Sequence, residues 1–267
     1  MARTWAIWII AILFFVYLAA WTDRTEVSLG FVSITTGWIL FAVLIILALF
    51  NLRKKFPAFP LASASTWYTL HGVGGILAMG IFWLHIGSFW PIGLYEQLLT
   101  LLFYLASLTG IFGLIFQKLF PIRLTQSGAE YIYERIPAEI SEIQKNAQNL
   151  ILACTQETGR DTLAAHYLET LHWFFQRPRF FFSHLLGGEK DAHWIQQKCS
   201  NLERFLNAQE RGYLRKIFAL ADSKRKVDLH YTLQTVLKSW LLVHLPLAAA
   251  LMAIILWHIT VVYVYFT

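Results

Sequence analysis

Five apolar runs, residues 4–21, 30–52, 65–89, 93–116 and 236–266, carry almost no charged side chains. A helix needs about 20 apolar residues to cross the roughly 30 Å hydrocarbon core of a bilayer, so each run is long enough to span. Only 14% of the residues are charged, against about 25% in a soluble domain, and mean hydropathy is +0.51. A soluble globular protein is thereby excluded. The first run has the look of a signal-peptide core, with "LAA" near its end, but we expect it to stay as an uncleaved helix.

The charge is concentrated between the fourth and fifth runs. Residues 121–235 hold 15 of the 22 Lys and Arg and 13 of the 16 Asp and Glu, which marks a polar domain inserted between two membrane helices. It reads as helical. "SGAE" (Ser127, Glu130) has the form of a capping box, Pro137 suits a first helical turn, and "EISEIQKNAQNLIL" repeats apolar residues every three or four. "DTLAAHYLETLHWFF" and "AHWIQQKCSNLERFLNAQERGYLRKIFAL" read as further amphipathic helices. The expectation is an all-α integral membrane bundle with residues 1–120 forming four transmembrane helices, 121–235 a helical cytoplasmic domain and 236–267 a fifth transmembrane helix.

Loop charge orients the set. Arg3, Arg53, Lys54, Lys55, Lys118, Arg123, Lys224, Arg225, Lys226 and Lys238 fall on one side of a chain that crosses five times. The other side has "TDRTEV", where Asp23 and Glu26 offset Arg24, and the nearly uncharged "GSFWPIG". By the positive-inside rule the N-terminus and the polar domain are cytoplasmic and the C-terminus lies outside the inner membrane. The net charge of +6 is thus a topology signal and not a nucleic-acid footprint. Cys154 and Cys199 form no disulfide framework, redox pair or iron–sulfur spacing, and no glycine-rich phosphate loop is present.

Ionisable side chains inside a membrane mark function by default. Four of the nine histidines lie in the apolar runs, His71 and His85 on the third, His244 and His258 on the fifth, each pair fourteen residues apart. Fourteen residues return a helix to within about 40° of its starting direction and climb about 21 Å, so each pair shares one face at two depths. The two helices run parallel, because one membrane helix separates them. His71 then shares the inner level with His244, and His85 the outer level with His258. Two ligands at each of two levels suit bis-histidine haem ligation, whereas a tetrahedral zinc or copper site gathers three or four at one level.

Around these histidines, Gly74, Gly75 and Ala78 are small enough for a flat macrocycle to approach, and Gly72, Gly80, Gly110, Gly113 and Ala248 add to them. Pro246 lies two residues after His244, where it removes a helical hydrogen bond. Glu96, at the outer start of the fourth helix, is either a first-turn carboxylate favoured by the helix dipole or, with Tyr95, a proton-exchange partner for a quinol. Lys118, Arg123 and Lys238 are candidate partners for haem propionates as well as inside anchors. His230 lies fourteen residues before His244, but Pro57 stands at the matching position of the third helix, so a third haem is not expected.

This pattern of four histidines on two helices resembles the dihaem cytochrome b subunits of respiratory and photosynthetic membrane complexes, over residues 65–116 and 236–266. The resemblance implies two non-covalent b haems held by His71, His244, His85 and His258, with electrons crossing the membrane to or from quinone. It implies a subunit of an oxidoreductase complex, with a cytoplasmic-side iron–sulfur or flavin protein, an outer-side c-type cytochrome, or both as partners. The inserted 121–235 domain and the extra first helix depart from the family pattern. The alternative is a transporter or channel with histidine-lined metal or proton sites; a non-redox membrane scaffold is a third possibility.

Overall fold

The computed structural model describes residues 2–25, 29–50 and 63–266, and these are helical with no strand. Glu26, Arg53, Lys54, Lys55 and Pro57 lie outside the described residues. In chain order the helices are α1 (Ala2–Arg24), α2 (Leu29–Ala48), α3 (Ala64–Ile86), α4 (Leu94–Gln126), α5 (Ile136–Thr158), α6 (Thr162–His166), α7 (His172–Gln176), α8 (Phe181–Leu186), α9 (Lys190–Glu203) and α10 (Ala208–Phe266). A π-helical turn, Tyr167–Leu171, joins α6 to α7, and a 3₁₀ turn, Tyr133–Arg135, leads into α5.

Among the described residues four helices are long and apolar enough to cross a membrane: Arg3–Arg24, Ala64–Ile86, Leu94–Gln126 and Ala208–Tyr265. Val32–Ala48 is apolar but shorter. Large apolar side chains stand exposed along these helices, among them Ile10 and Leu13 on α1, Leu98 and Leu108 on α4, and Leu242 and Val243 on α10. Continuous exposed apolar surface of this kind suits a hydrocarbon solvent, where a helix satisfies its own backbone.

The chain divides into two compact units, Met1–Ile115 with Trp240–Thr267, and Phe116–Ser239. In the first, Leu18, Leu40 and Leu44 meet Ala78, Ile81 and Phe82 of α3, Phe103 and Ala106 of α4, and Leu251 and Ile255 of α10. Helix α3 is cleanly bounded: the Thr66 N–H donates to the Ser63 hydroxyl at 3.2 Å, and Gly87 closes it at φ +63°, its N–H donating to the Trp83 carbonyl. α3 packs closely on α1 and α2, whereas the backbones of α3 and α10 approach within 8 Å at few points, if any, and side chains bridge the separation.

In the second unit, Ile136, Ile140, Ile143, Ala147, Ile151 and Cys154 form the buried stripe of α5 at the three-and-four spacing of the sequence. Pro137 stands in the first turn of α5, and Gly159 ends it at φ +64°. The stripe packs on Leu163, Tyr167, Leu171, Phe174, Phe175, Ile195, Cys199, Leu214 and Ile217.

Several expected boundaries are corrected. Ser127 and Glu130 open no helix: the Ser127 hydroxyl donates to the Leu124 carbonyl at 2.7 Å, closing α4, and Gly128 follows at φ +70°. α4 does not stop at residue 116 but runs on through Pro121 to Gln126. The apolar run from residue 236 is not a separate helix; it is the end of α10, which begins at Ala208. Its true start is a capping box at Asn207 and Glu210, each side chain accepting from the other's N–H at 2.8 Å. That box also splits the long amphipathic stretch into α9 and α10. Along the charged run ahead of the apolar segment, Lys224 and Asp228, and Asp222 and Lys226, stand one turn apart within ion-pair distance.

Candidate functional site

Within the first unit the histidines of α3 and α10 come into ring contact at one level and into electrostatic reach at the other. His85 and His258 face each other with ring centroids 6.4 Å apart and planes at 86°. His71 and His244 lie close enough for their charges to interact. Between the levels, seven residues on from the inner pair, Ala78 and Leu251 fill the core. At the separation and angle of the outer pair the two rings meet edge to face.

The other ring nitrogen decides what each imidazole can offer. At the outer level Nδ1 of His85 lies 2.9 Å from the Ser33 carbonyl, which only accepts, so Nδ1 carries the proton and Nε2 keeps its lone pair. The Thr36 hydroxyl stands 3.4 Å from the same nitrogen. At the inner level Nδ1 of His244 lies 2.9 Å from the Thr109 hydroxyl, which already donates to the Leu105 carbonyl. The roles in this contact follow the tautomer: with Nδ1 protonated the hydroxyl accepts, and Nε2 of His244 keeps its lone pair. Such outer partners fix tautomer and ring orientation in metal-ligating histidines. The His71 imidazole lies against the Leu47 backbone, and its Nδ1 is buried without a hydrogen bond of normal geometry.

Aromatic rings hold these side chains further. Trp240 stacks on His244 at 5.4 Å and 17°, and its Nε1 donates to the Thr109 carbonyl at 2.7 Å. Phe50 lies 4.7 Å from His71, and Tyr95 stacks on His258 at 6.0 Å and 23°. Gly37 of α2 lets His85 approach: a Cβ there would stand 2.9 Å from Cε1 of the imidazole. Gly110 of α4 lies beside His244, 3.6 Å from a built Cβ to Cε1. Gly37, Ser33, Thr36 and Thr109 were not singled out from the sequence, because no period ties them to the histidines.

The remaining candidates divide. Around Gly75 a Cβ would meet nothing within 4 Å, so the backbone opens on free space. Gly74 faces Leu47, Gly72 faces Leu114 and Gly80 faces Phe15, which assigns all three to helix packing. Gly113 makes room for the Trp240 indole. Glu96 is exposed in the first turn of α4, and its charge reaches His258.

The basic candidates sit in the second unit. Arg123 donates from Nη1 to the Leu185 carbonyl at 2.9 Å and from Nη2 to the His184 carbonyl, so its guanidinium closes α8. Lys238 pairs with Glu134 and lies over the Tyr133 ring, and Lys118 is exposed. His230 is satisfied at both nitrogens, Nε2 by the Ser127 hydroxyl at 3.0 Å and Nδ1 by the Gln234 amide at 3.3 Å. Burial pushes the Cys199 thiol up to about 11 and raises that of Cys154, so neither is a thiolate at neutral pH.

Among the described residues no group of three or more His, Cys, Asp or Glu is placed to hold a metal ion, so a tetrahedral site of that kind is not assembled there. Comparison with family models, curated proteins and solved structures finds no match for this chain.

Proposed function

We propose that this chain is the membrane cytochrome b subunit of an electron-transfer complex, holding two b haems in a five-span bundle of the inner membrane. The observation that carries the reading is the pairing of His85 with His258 at 6.4 Å, with His71 beside His244 fourteen residues away on the same two helices. His71 and His244 would hold the inner iron, and His85 and His258 the outer one. Haem bound at these positions supplies reversible one-electron chemistry of its iron.

The chain's own part is to present neutral imidazoles in fixed orientation and to exclude water. The Ser33 carbonyl and the Thr109 hydroxyl keep the proton on Nδ1, leaving Nε2 of His85 and His244 toward a metal. Ala78, Leu251, Ile81 and Ile255 make an apolar layer around and between the levels. Tyr95 and Glu96, beside His258, are the candidates for exchanging protons with a quinol. The 121–235 region would dock the soluble partner, a flavin or iron–sulfur protein, and an outer c-type cytochrome would serve the other end. The N-terminus and that region are then cytoplasmic, from the placement of Arg3, Lys118 and Arg123.

A dithionite-reduced minus oxidised spectrum of the purified protein tests this. The expected result is the bands of low-spin b haem; their absence from protein expressed with ample haem supply sinks the proposal.

A further inference from the structure

Helix α8 is only six residues long, yet the second unit holds it at both ends. At its start the buried Lys224–Asp228 pair grips the chain: the Lys224 ammonium donates to the Arg177 carbonyl at 3.0 Å, and the Arg179 N–H donates to Asp228 at 3.2 Å. Both ions have no exposed side-chain surface. At its end Arg123 donates to the carbonyls of His184 and Leu185, lying against Gly187, whose φ of +81° closes the helix. What this clamp presents outward is apolar. Phe182 and Leu186, one turn apart on the same face, are 76% and 84% exposed, while His184 faces inward.

The helix that supplies the clamp identifies the surroundings. Arg123 lies near the end of α4, a helix long and apolar enough to cross a membrane. One turn and one residue before it, Leu119 and Ile122 are themselves about half exposed. Within the second unit, the exposed apolar side chains of α4 therefore reach the turn from which Arg123 holds α8. Arg177 and Lys190 are exposed on either side of α8, with Glu189 the one exposed carboxylate beside them. An apolar pair bordered by basic residues, at the level where a membrane helix ends, fits the headgroup–acyl boundary of a bilayer containing anionic lipid.

We propose that α8 lies in the bilayer interface as an in-plane anchor, with Phe182 and Leu186 among the acyl chains and Arg177 and Lys190 meeting anionic headgroups. This rests on the membrane reading of α4 but not on haem.

Single spin labels test it in the whole chain, with the buried Cys154 and Cys199 replaced by alanine, reconstituted in discs of phosphatidylglycerol and phosphatidylcholine. Labels at Phe182→Cys and Leu186→Cys are expected to collide several-fold more with lipid-dissolved oxygen than with an aqueous nickel chelate, as a label at Ile115→Cys on α4 does, while Glu142→Cys reports water. Water at 182 and 186 with lipid at 115 overturns the anchor alone. Water at all three overturns the membrane reading of α4 with it. Shielding of 182 and 186 from both reagents also overturns the anchor, since a protein surface then covers them. Replacing Arg177 and Lys190 by Gln is expected to lower the oxygen-to-nickel ratio at 186 at least two-fold; an unchanged ratio overturns the headgroup contact.

Discussion

Two glycines on helices flanking the histidines predict opposite outcomes. A methyl group at Gly37 would sit 2.9 Å from Cε1 and 3.3 Å from Nδ1 of His85, closer than an unstrained contact allows. Gly37→Ala must therefore displace the imidazole from the Ser33 carbonyl, and we expect a changed spectrum and midpoint potential for the outer haem only. At Gly110 the same change meets His244 at an ordinary 3.6 Å and should leave both haems as they are. Thr109→Val removes the acceptor for Nδ1 of His244, and loss of such an outer partner costs about 10- to 100-fold in metal affinity. Inner haem should be lost selectively on dilution or competition with apomyoglobin. Glu96→Gln separates the two readings of that carboxylate: slowed quinol-dependent reduction of the outer haem supports proton exchange, and an unchanged rate leaves Glu96 to the helix dipole. The facing of His85 and His258 agrees with a spacing that occurs twice, once on α3 and once on α10. Ser33, Thr36, Gly37 and Thr109 come from α2 and α4, and nothing in their own segments announces which histidine they serve.

At the scale of elements, Asp228 lies at the centre of the clamp on α8. Burial pushes its carboxyl up to about 7, with the Lys224 ammonium and the Arg179 N–H pulling the other way. An unfolded aspartate titrates near 3.9, so the folded chain holds this proton more tightly. Its contribution to stability is fully present below about pH 4 and is lost as pH rises through about 7. Thermal denaturation followed by circular dichroism should show that fall between these values, and Asp228→Asn should abolish it. Helix type was plain from period and length, but boundaries were not. "SGAE" has the capping-box pattern, yet Gly128 takes a left-handed conformation that ends α4 instead. The box that does open a helix, Asn207 with Glu210, begins with Asn inside a stretch already amphipathic on both sides. α4 outruns its apolar run because the run marks only where apolar residues end, whereas the helix stops where Ser127 and Gly128 stop it.

For the whole molecule, the fold class follows from composition and apolar run length alone: these residues can satisfy their backbone in lipid only as helices. The clamp between Arg123 and α8 was out of reach of the sequence, since a lone arginine at a membrane boundary reads first as an inside anchor. The proposed function requires two haems per chain, each shared by α3 and α10. It is tested most directly by counting b haem per chain, as the pyridine haemochrome, in the parent protein and four single variants. The prediction is two haems in the parent and one in each variant, with His71→Ala and His244→Ala retaining one and the same spectral component, and His85→Ala and His258→Ala retaining the other. No haem in the parent protein, or variants that lose haem without respecting these pairs, would contradict it.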